Sequence, residues 1–599
     1  MILSKRMNAT ILQSEVEDIA CAYDLIIVGL GTAGALAAIT AGQLGLKVLG
    51  IERLNCLGGT GTTGGILPYY YGASGGAYEK VDALVDEMQK LGYTKAMGQN
   101  PEIKKYVLEQ EAQKYDVEII FEAVLTGVFL EGNRVRGVQW FEDANLKQAG
   151  AKVVMDCTGE AEVCALAGSQ TRFGRILDGR VQPFSNVQLE LYDGAEQCYR
   201  ATDCGTFRQL DGAAYAKAHV NSATLPMYYA DAYNEHRQLI GFMTLMGIRE
   251  GRLIVGEETV TLKDFLDDKL TDKPLFYAYS NLDNHGKDLA FESETMQDWI
   301  VGANLWGMKF SVPIPMGALI PKGFEGLLVA GRCIAVDHDI APCVRMKRDM
   351  QKCGEAAAVV AYVAIKNDER LSEVAYEEIK PILLSTHCLD EKNHVPFTWL
   401  TEEEEIKAGL QSTKPGIAIW SAKRLQLTDN LTEWCLSNDS HLARNSAFAL
   451  GLLGHNAAIP VLRKIVVERD DFIPDSSMKY CHVCWHSALY LLGRLRDAGS
   501  IDLLFEVMNS DVENKNHINN ELIFDDRDYS FQAVSQAMMA LLKIAEAHTQ
   551  HKKEIYGKLK EVVLSNEFHV GLTLKGGGNV PYDMTTQVQE ILTALGIEI

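Results

Sequence analysis

Residues 23–53, YDLIIVGLGTAGALAAITAGQLGLKVLGIER, constrain the fold more than any other stretch of the chain. Asp24 to Val28 form a short apolar run with β-branched residues, as expected of a buried parallel strand. Gly29-Leu30-Gly31-Thr32-Ala33-Gly34 follows at once and opens an alanine-rich helix, after which KVLGIER supplies a second strand that ends on Glu52. A glycine-rich turn in any α/β domain can imitate GxGxxG alone. Here a strand precedes it, a helix follows it and an acidic residue stands about 20 positions on, which completes a dinucleotide-binding fingerprint. Gly29 permits the tight turn, Gly31 lets the backbone approach a pyrophosphate and Gly34 lets the helix pack on the strand. The helix N-terminus faces the phosphate charge, and Glu52 can accept hydrogen bonds from the adenosine ribose.

The fingerprint does not separate NAD from FAD. The next stretch, NCLGGTGTTGGILPYYYG, is dense in glycine and threonine. It offers flexible backbone, free N–H donors and hydroxyls, which suit the ribityl-flavin half of FAD. Later, AKVVMDCTGEAEVCALAG gives another strand and a Thr158-Gly159 turn, and GLLVAGRCIAVD gives a last strand before a helix. A dinucleotide domain that leaves and returns this far on holds an insert. The expected organisation is an N-terminal extension (1–22), a split FAD-binding domain (23–175 and 316–375), an inserted α+β substrate domain (176–315) and a helical domain (376–599).

In the last part, LGLLGHNAAIPVL (450–462) and LGRLRDAGSIDLL (492–504) match at an offset of 42. Leu450, Gly451, Leu453, Ala457, Ile459 and Leu462 face Leu492, Gly493, Leu495, Gly499, Ile501 and Leu504, and five of the six pairs are identical. Helix, turn and helix at this period mark HEAT-type repeats. With 599 residues the chain is long enough for about three or four domain-sized units. Its net charge of −23 argues against nucleic acid and against an anionic membrane surface. No apolar run reaches the roughly 18–20 residues that span a bilayer, the first residues lack a signal-peptide pattern, and the thirteen cysteines show no framework spacing. These features predict a cytoplasmic protein with reduced thiols.

The segments DLIIVGLGTAGALAA, ERLNCLGGTGTTGG, DCTGEAEVCALAG, GIREGRLIVGEETVTLKDF, LDNHGKD, IPMGALIPKGFEGLLVAGRCIA and HDIAPCVRMKRDMQKCGEAAA run in order over about residues 23–365. Together they resemble the FAD-dependent oxidoreductases distantly related to the fumarate reductase and succinate dehydrogenase flavoproteins. The resemblance implies a Rossmann-like, glutathione reductase-type fold and an FAD site. That site would use Gly29, Gly31, Thr32, Ala33, Gly34, Glu52, Arg53, Gly58, Gly59, Thr60, Thr63, Val124, Thr158, Gly159, Gly331 and Arg332. Three departures stand out. Relatives with covalent FAD carry a histidine before the flavin segment, whereas this chain has NCLGGT, so non-covalent FAD is expected; Cys56 reads as a buried thiol rather than an attachment point. Gly251-Arg252-Leu253 stand where the family has SRRI-like residues. Where the family reads RVMPTCM, Arg348 replaces the proline and Met350 the cysteine.

Flavin supplies hydride chemistry, so the protein must place a substrate and carry a proton. His338 is the first candidate acid/base, since a histidine titrates near working pH; a structural loop histidine is the alternative. Arg345 is the candidate anchor for a substrate carboxylate or carbonyl, or else a contact to the flavin C2 carbonyl. Arg249 and His285 are candidate pocket residues, and one of Tyr69, Tyr70 and Tyr71 is expected to face the flavin side. CHVCWH, with Cys481, Cys484 and His486, lacks the second half of a zinc site, and KGGGNVPYD (575–583) reads as a loop. No metal, iron–sulfur run or second dinucleotide fingerprint is expected. The partners expected are a small-molecule substrate such as a sugar, polyol or enoate, an external electron donor or acceptor, and a protein partner or second copy on the helical repeats. A redox-sensing scaffold and a non-redox flavin hydratase or isomerase are the competing readings.

Overall fold

In a computed structural model of the chain, the described residues are 2–5, 11–14, 19–91, 98–194, 196–207, 209, 211–224, 233–475, 483–510, 526–574 and 578–599. They divide into two units: one comprises 1–174, 180–280 and 310–396, the other 175–179, 281–309 and 397–599.

Unit one is built on a nine-stranded sheet among the described residues. Its strands are β1 (Ile2–Lys5), β2 (Ile11–Ser14), β3 (Cys21–Val28), β4 (Val48–Ile51), β5 (Glu118–Ile120), β6 (Val124–Glu131), β7 (Arg134–Glu142), β8 (Asn145–Asp156) and Leu327–Val329. The order β2-β1-β6-β7-β8-β3-β4-β5 puts the fingerprint strand β3 between β8 and β4, parallel to both. Leu25, Ile26 and Ile27 are wholly buried, which is why this strand is a continuous apolar run rather than an alternating one. The N-terminal extension contributes the antiparallel strands β1 and β2, of which β1 pairs with β6.

Register sets the site. Val28 pairs with Ile51 on one side and with Asp156 on the other. The returning strand Leu327–Val329 lies parallel to the end of β8, with Val329 opposite Asp156. Gly29, Glu52, Cys157 and Ala330 therefore leave the sheet side by side at the carboxyl ends of parallel strands, where open α/β sheets bind ligands.

Helix α1 (Thr32–Gln43) follows β3, and helix Lys347–Asn367 packs along it. The two backbones approach so closely that a Cβ on Gly354 would lie 2.0 Å from the carbonyl oxygen of Ala33. This crossing carries the start of the long helix to the glycine-rich segment after β4: a Cβ on Gly61 would lie 3.8 Å from Lys347 Cδ.

The expected insert, 176–315, is divided between the units. Residues 180–280 cluster with unit one, where Glu196–Asp203, Ser185–Tyr192 and Arg237–Phe242 form a small antiparallel sheet and Pro274–Ser280 pairs with Phe310–Pro315. Residues 281–309 cluster with unit two. Their polar and aromatic partners explain this. Asp298 accepts hydrogen bonds from Lys423 Nζ (3.0 Å), Tyr490 Oη (2.7 Å) and Arg494 Nε (2.8 Å), and Trp299 packs against Phe397, Trp399 and Trp420. Unit one likewise extends past 375, to 396. Helix Tyr376–Ser385 buries Ile379 and Leu383, Asn393 Nδ2 donates to the Ser74 carbonyl at 2.9 Å, and Val395 N–H donates to Ser311 Oγ at 2.8 Å.

Unit two is mainly helical. The matched segments fall on two helix–turn–helix pairs, Ser440–Leu453 with Ile459–Glu468 and Cys484–Arg494 with Ile501–Asn509. Each turn is capped the same way, by His455 in the first and Asp497 in the second. Part of KGGGNVPYD is strand rather than loop, since Gly578–Asp583 pairs with His569–Leu574; residues 575–577 lie outside the described residues. Cys481 also lies outside them, while Cys484 and His486 are buried at the start of their helix. Among the described residues no helix is long and apolar enough to cross a membrane.

Candidate active site

The turn after β3 is fixed by glycine. Gly29 has φ +85°, and a Cβ there would lie 2.7 Å from the carbonyl oxygen of Cys157. At Gly34 it would lie 1.9 Å from the Gly29 carbonyl oxygen. Gly31 and Gly59 face each other across a narrow slot: a Cβ on Gly31 would meet only Gly59 Cα, at 3.9 Å, and one on Gly59 would lie 2.9 Å from Gly31 Cα. Helix α1 begins beyond Gly31 with no side-chain cap, so its first N–H groups point at this slot uncapped. Bare backbone, uncapped amides and the positive end of a helix fit a pyrophosphate.

Glu52 is buried beside the slot. It accepts the N–H of Leu30 at 2.6 Å and of Leu54 at 2.9 Å, one on each carboxylate oxygen, which leaves a lone pair on each for ribose hydroxyls. Burial pushes its carboxyl up, against the pull of those N–H donors. Ala123 N–H donates to the Glu52 carbonyl at 3.0 Å, which brings the exposed Val124 next to it. Arg53 is exposed in the same turn, and Thr32 Oγ1 donates to the Gly58 carbonyl at 3.4 Å. Gly58 (φ +93°) and Gly59 (φ +51°) start the tight turn that carries Thr60 and Thr63. Cys56 Sγ lies 3.0 Å from Thr63 Oγ1.

Thr158 and Gly159 follow β8, and the wholly buried Asp156 organises their turn. It accepts Thr158 N–H (3.1 Å), Thr158 Oγ1 (2.7 Å) and Cys164 N–H (3.0 Å). Gly331 (φ +96°) faces Ala33 Cβ across a gap of 3.4 Å from its would-be Cβ. Arg332 forms an ion pair with Glu160 and donates to the Ile248 carbonyl at 3.1 Å. Arg252 Nη1 also reaches the Glu160 carbonyl, at 3.0 Å. The segment IREGR is thus fastened between the Thr158–Glu160 turn and the returning strand. A Cβ on Gly251 would lie 2.0 Å from Glu160 Oε2, so a larger residue there would displace the carboxylate that pairs with Arg332.

His338 is buried, and its Nδ1 lies 2.8 Å from Glu250 Oε1. Glu250 is almost fully buried and holds Gln182 N–H at 2.8 Å on its other oxygen. The flanking Asp337 is a turn cap, accepting the N–H groups of Ile340 (2.9 Å) and Leu262 (3.3 Å). Arg345 is half-buried at the end of the short helix Ala341–Val344.

Arg249 does not stand free to meet a ligand. Its guanidinium donates to the Pro183 carbonyl (2.6 Å), Ser185 Oγ (2.7 Å) and Asp203 Oδ1 (2.6 Å), a clamp within the small antiparallel sheet. His285 belongs to unit two, where its Nε2 lies 3.1 Å from Asp283 Oδ2. Of the three tyrosines, Tyr69 turns inward and donates to Asp82 at 2.6 Å, while Tyr70 is exposed.

Sequence reasoning did not single out Glu250, Asp156, Lys347 or Asp349. Lys347 donates to the carbonyls of Ile66 and Leu67, the latter at 2.8 Å, next to the flavin-type segment. Burial pushes its ammonium well down, and Lys104 and Arg348 push the same way. Asp349 accepts Ala73 N–H (2.8 Å) and Tyr279 N–H (3.0 Å). A charged residue on the buried face of a helix is the one signal that could have marked both.

Comparison with known proteins places this site in context. The family model described as FAD dependent oxidoreductase matches residues 24–238 and 209–383. Dihydrolipoyl dehydrogenase 3 of Pseudomonas aeruginosa is 42% identical over 72 residues, 10% of this chain and 15% of that protein. The chain thus spans about 15% of the length of the curated relative it matches. Among solved structures, the myxobacterial chondrochloren halogenase CndH aligns at 12% identity and a TM-score of 0.31, over 72% of this chain and 97% of the other. A geranylgeranyl bacteriochlorophyll reductase-like protein of Thermoplasma acidophilum aligns at 13% identity and a TM-score of 0.28, over 80% and 98%.

Proposed function

The chain belongs to the FAD dependent oxidoreductase family and is an enzyme with FAD as its cofactor, and from that premise we propose that it is a dehydrogenase or reductase of a small polar metabolite. FAD supplies the redox chemistry, accepting or giving hydride at its flavin N5. In this reading Gly29, Gly31 and Gly34 with the start of α1 hold the pyrophosphate, and Glu52 holds the ribose. Gly58, Gly59, Thr60 and Thr63 lie along the ribityl side, with no covalent bond to the chain.

The observation that carries the proposal is the buried His338–Glu250 pair, just past the Gly331-Arg332 turn. In this reading the carboxylate of Glu250 accepts from Nδ1–H and so sets the tautomer, and Nε2 takes or gives the proton. Buried beside a carboxylate, the imidazole can accept a proton without leaving an uncompensated charge. Arg345 would anchor a substrate carboxylate or polarised carbonyl. Unit two, with its two helix–turn–helix pairs at a common offset, is in this reading a HEAT-like module for a protein partner or a second copy.

A substrate screen without oxygen tests this. Oxidised enzyme is mixed with sugars and polyols, and photoreduced enzyme with enoates. Bleaching in the first set marks a dehydrogenase and reoxidation in the second a reductase. A flavin spectrum unmoved by every compound in both sets would defeat the reading.

A further inference from the structure

Unit one holds a cleft of about 260 Å³ that the redox reading does not use. Gly72, Ser74, Tyr279, Arg348, Lys392 and Asn393 are among the residues that line it. We propose that this cleft is a binding site for a small oxyanion-bearing molecule, a carboxylate or phosphate ester, with Arg348 as its principal anchor and Lys392 as its second cation.

Arg348 carries the inference. It stands where the resemblance expects a proline. Among the described residues its guanidinium stacks over the Tyr69 ring at 4.6 Å and takes part in no ion pair or hydrogen bond, although it is half-buried. A guanidinium offers five donors in a fixed fork, and a carboxylate or phosphate matches that fork with two parallel bonds.

The surrounding charge points the same way. Three basic side chains gather on Tyr69: Lys347 Nζ at 4.7 Å from the ring centroid, Lys104 Nζ at 5.5 Å and the Arg348 guanidinium at 4.6 Å. Asp82 pairs with Lys104 at 2.9 Å, and Asp349 spends both oxygens on backbone N–H groups. Of these three only Arg348 lines the cleft, and the carboxylates beside it are engaged elsewhere, so its guanidinium meets the cleft without a paired anion. Lys392, an exposed residue, is the second cation on the lining, and Tyr279 and Ser74 line it too.

The cleft is also pre-formed. One face of helix Lys347–Asn367 fastens the strap 72–77 at three successive turns. Asp349 holds Ala73 N–H, Lys352 Nζ donates to the Ser74 carbonyl at 3.1 Å, and Glu355 holds Ala77 N–H at 2.6 Å. Gly72, Gly75 and Gly76 have φ of +97°, +87° and +105°, so the strap takes a path other residues resist. Asn393 ties the far wall to Ser74. A rigid wall does not have to be ordered on binding, which favours affinity for a small ligand.

The test is calorimetric titration of the flavin-loaded full chain at constant ionic strength, with inorganic phosphate and with succinate as separate probes. At least one is expected to bind saturably, and the tighter of the two identifies the anion as phosphate or carboxylate. Arg348→Met is expected to weaken that binding about ten- to hundredfold, as for loss of hydrogen bonds to a charged group, with Arg348→Lys in between. Lys392→Met, at an exposed position, is expected to weaken it by a smaller factor with the fold untouched. Absence of saturable binding by either probe, or equal affinity in Arg348→Met and Lys392→Met, overturns the proposal. The readout is binding rather than turnover, so its failure is distinct from failure of the redox reading.

Discussion

Glu250 Oε1 sits 2.8 Å from His338 Nδ1, in a pocket that leaves both side chains less than a tenth exposed. A buried carboxylate this close orients the ring and stabilises its protonated form. With the substrate that the anaerobic screen identifies, His338→Ala is expected to lose about 10²–10⁴ in turnover, the usual range for a general acid or base. Glu250→Gln, which keeps the shape but not the charge, is expected to lose less and to shift the pH profile of kcat. Both variants should retain flavin, because neither residue touches the Gly29–Gly34 turn. Wild-type turnover in His338→Ala removes it from the reaction.

The facing glycines give a sharper test of the cofactor slot. Gly59→Ala puts a methyl 2.9 Å from Gly31 Cα at a φ of +51°, whereas Gly31→Ala meets only Gly59 Cα, at 3.9 Å. Both methyl groups enter the space assigned to the pyrophosphate. Each variant should fold yet purify with little flavin, read as the ratio of visible to ultraviolet absorbance. Full flavin content in both would move the pyrophosphate elsewhere.

Denaturation of the holoenzyme is expected to release all flavin into the supernatant, and Cys56→Ser to purify with as much flavin as the parent. Flavin carried down with the precipitated chain would instead identify a covalent bond, with Cys56, 3.0 Å from Thr63 Oγ1, as its first candidate.

These glycine and fingerprint features were legible in the sequence because they obey local rules. A strand, a turn that needs positive φ and a helix start lie within a dozen residues, and the register of neighbouring parallel strands then brings Glu52 and Thr158 alongside. Glu250 was not legible, because its partner is 88 residues away and nothing in IREGR distinguishes an inward carboxylate from a surface one. Asp349 meets Ala73 across 276 residues. The fate of 281–309 was hidden for the same reason: Asp298 and Trp299 are chosen by residues of the helical unit more than a hundred positions later. Arg249, by contrast, looked available only because its three acceptors are invisible in the sequence.

Asp349 makes stability depend on pH. Burial pushes its carboxyl up from the ordinary 3.8 to about 7, against the pull of the Tyr279 and Ala73 N–H donors and of Lys352. Between those two values the folded chain holds a proton that the unfolded chain has lost. Stability from this group is therefore complete below about pH 4 and is lost as pH rises through about 7. Tm is expected to fall between about pH 4 and 7, and Asp349→Asn to flatten that slope while lowering Tm at acid pH, since the amide offers one acceptor to two N–H groups. Parallel Tm curves for the two proteins would contradict this.

Within unit two, Arg175 is buried among carboxylates. It makes two 2.7 Å bonds to Asp178 and one of 2.5 Å to Asp288, and Glu292 lies 3.6 Å away. Those carboxylates hold the guanidinium well above its usual range, although burial alone would lower it. Gln587 Nε2 adds a 2.6 Å bond to Asp288, which ties the last helix to the cluster. Removing one partner of a buried ionic cluster leaves the others uncompensated, at a cost of about 3–5 kcal/mol. Arg175→Met is expected to lower the unfolding transition of unit two by that order, while Arg175→Lys, which keeps the charge but not the two-pronged contact to Asp178, should fall between. Denaturant unfolding followed by tryptophan fluorescence reads this, because Trp299, Trp306, Trp420, Trp434 and Trp485 are buried in that unit. An unchanged midpoint in Arg175→Met would mean that the carboxylates take up protons at no measurable cost.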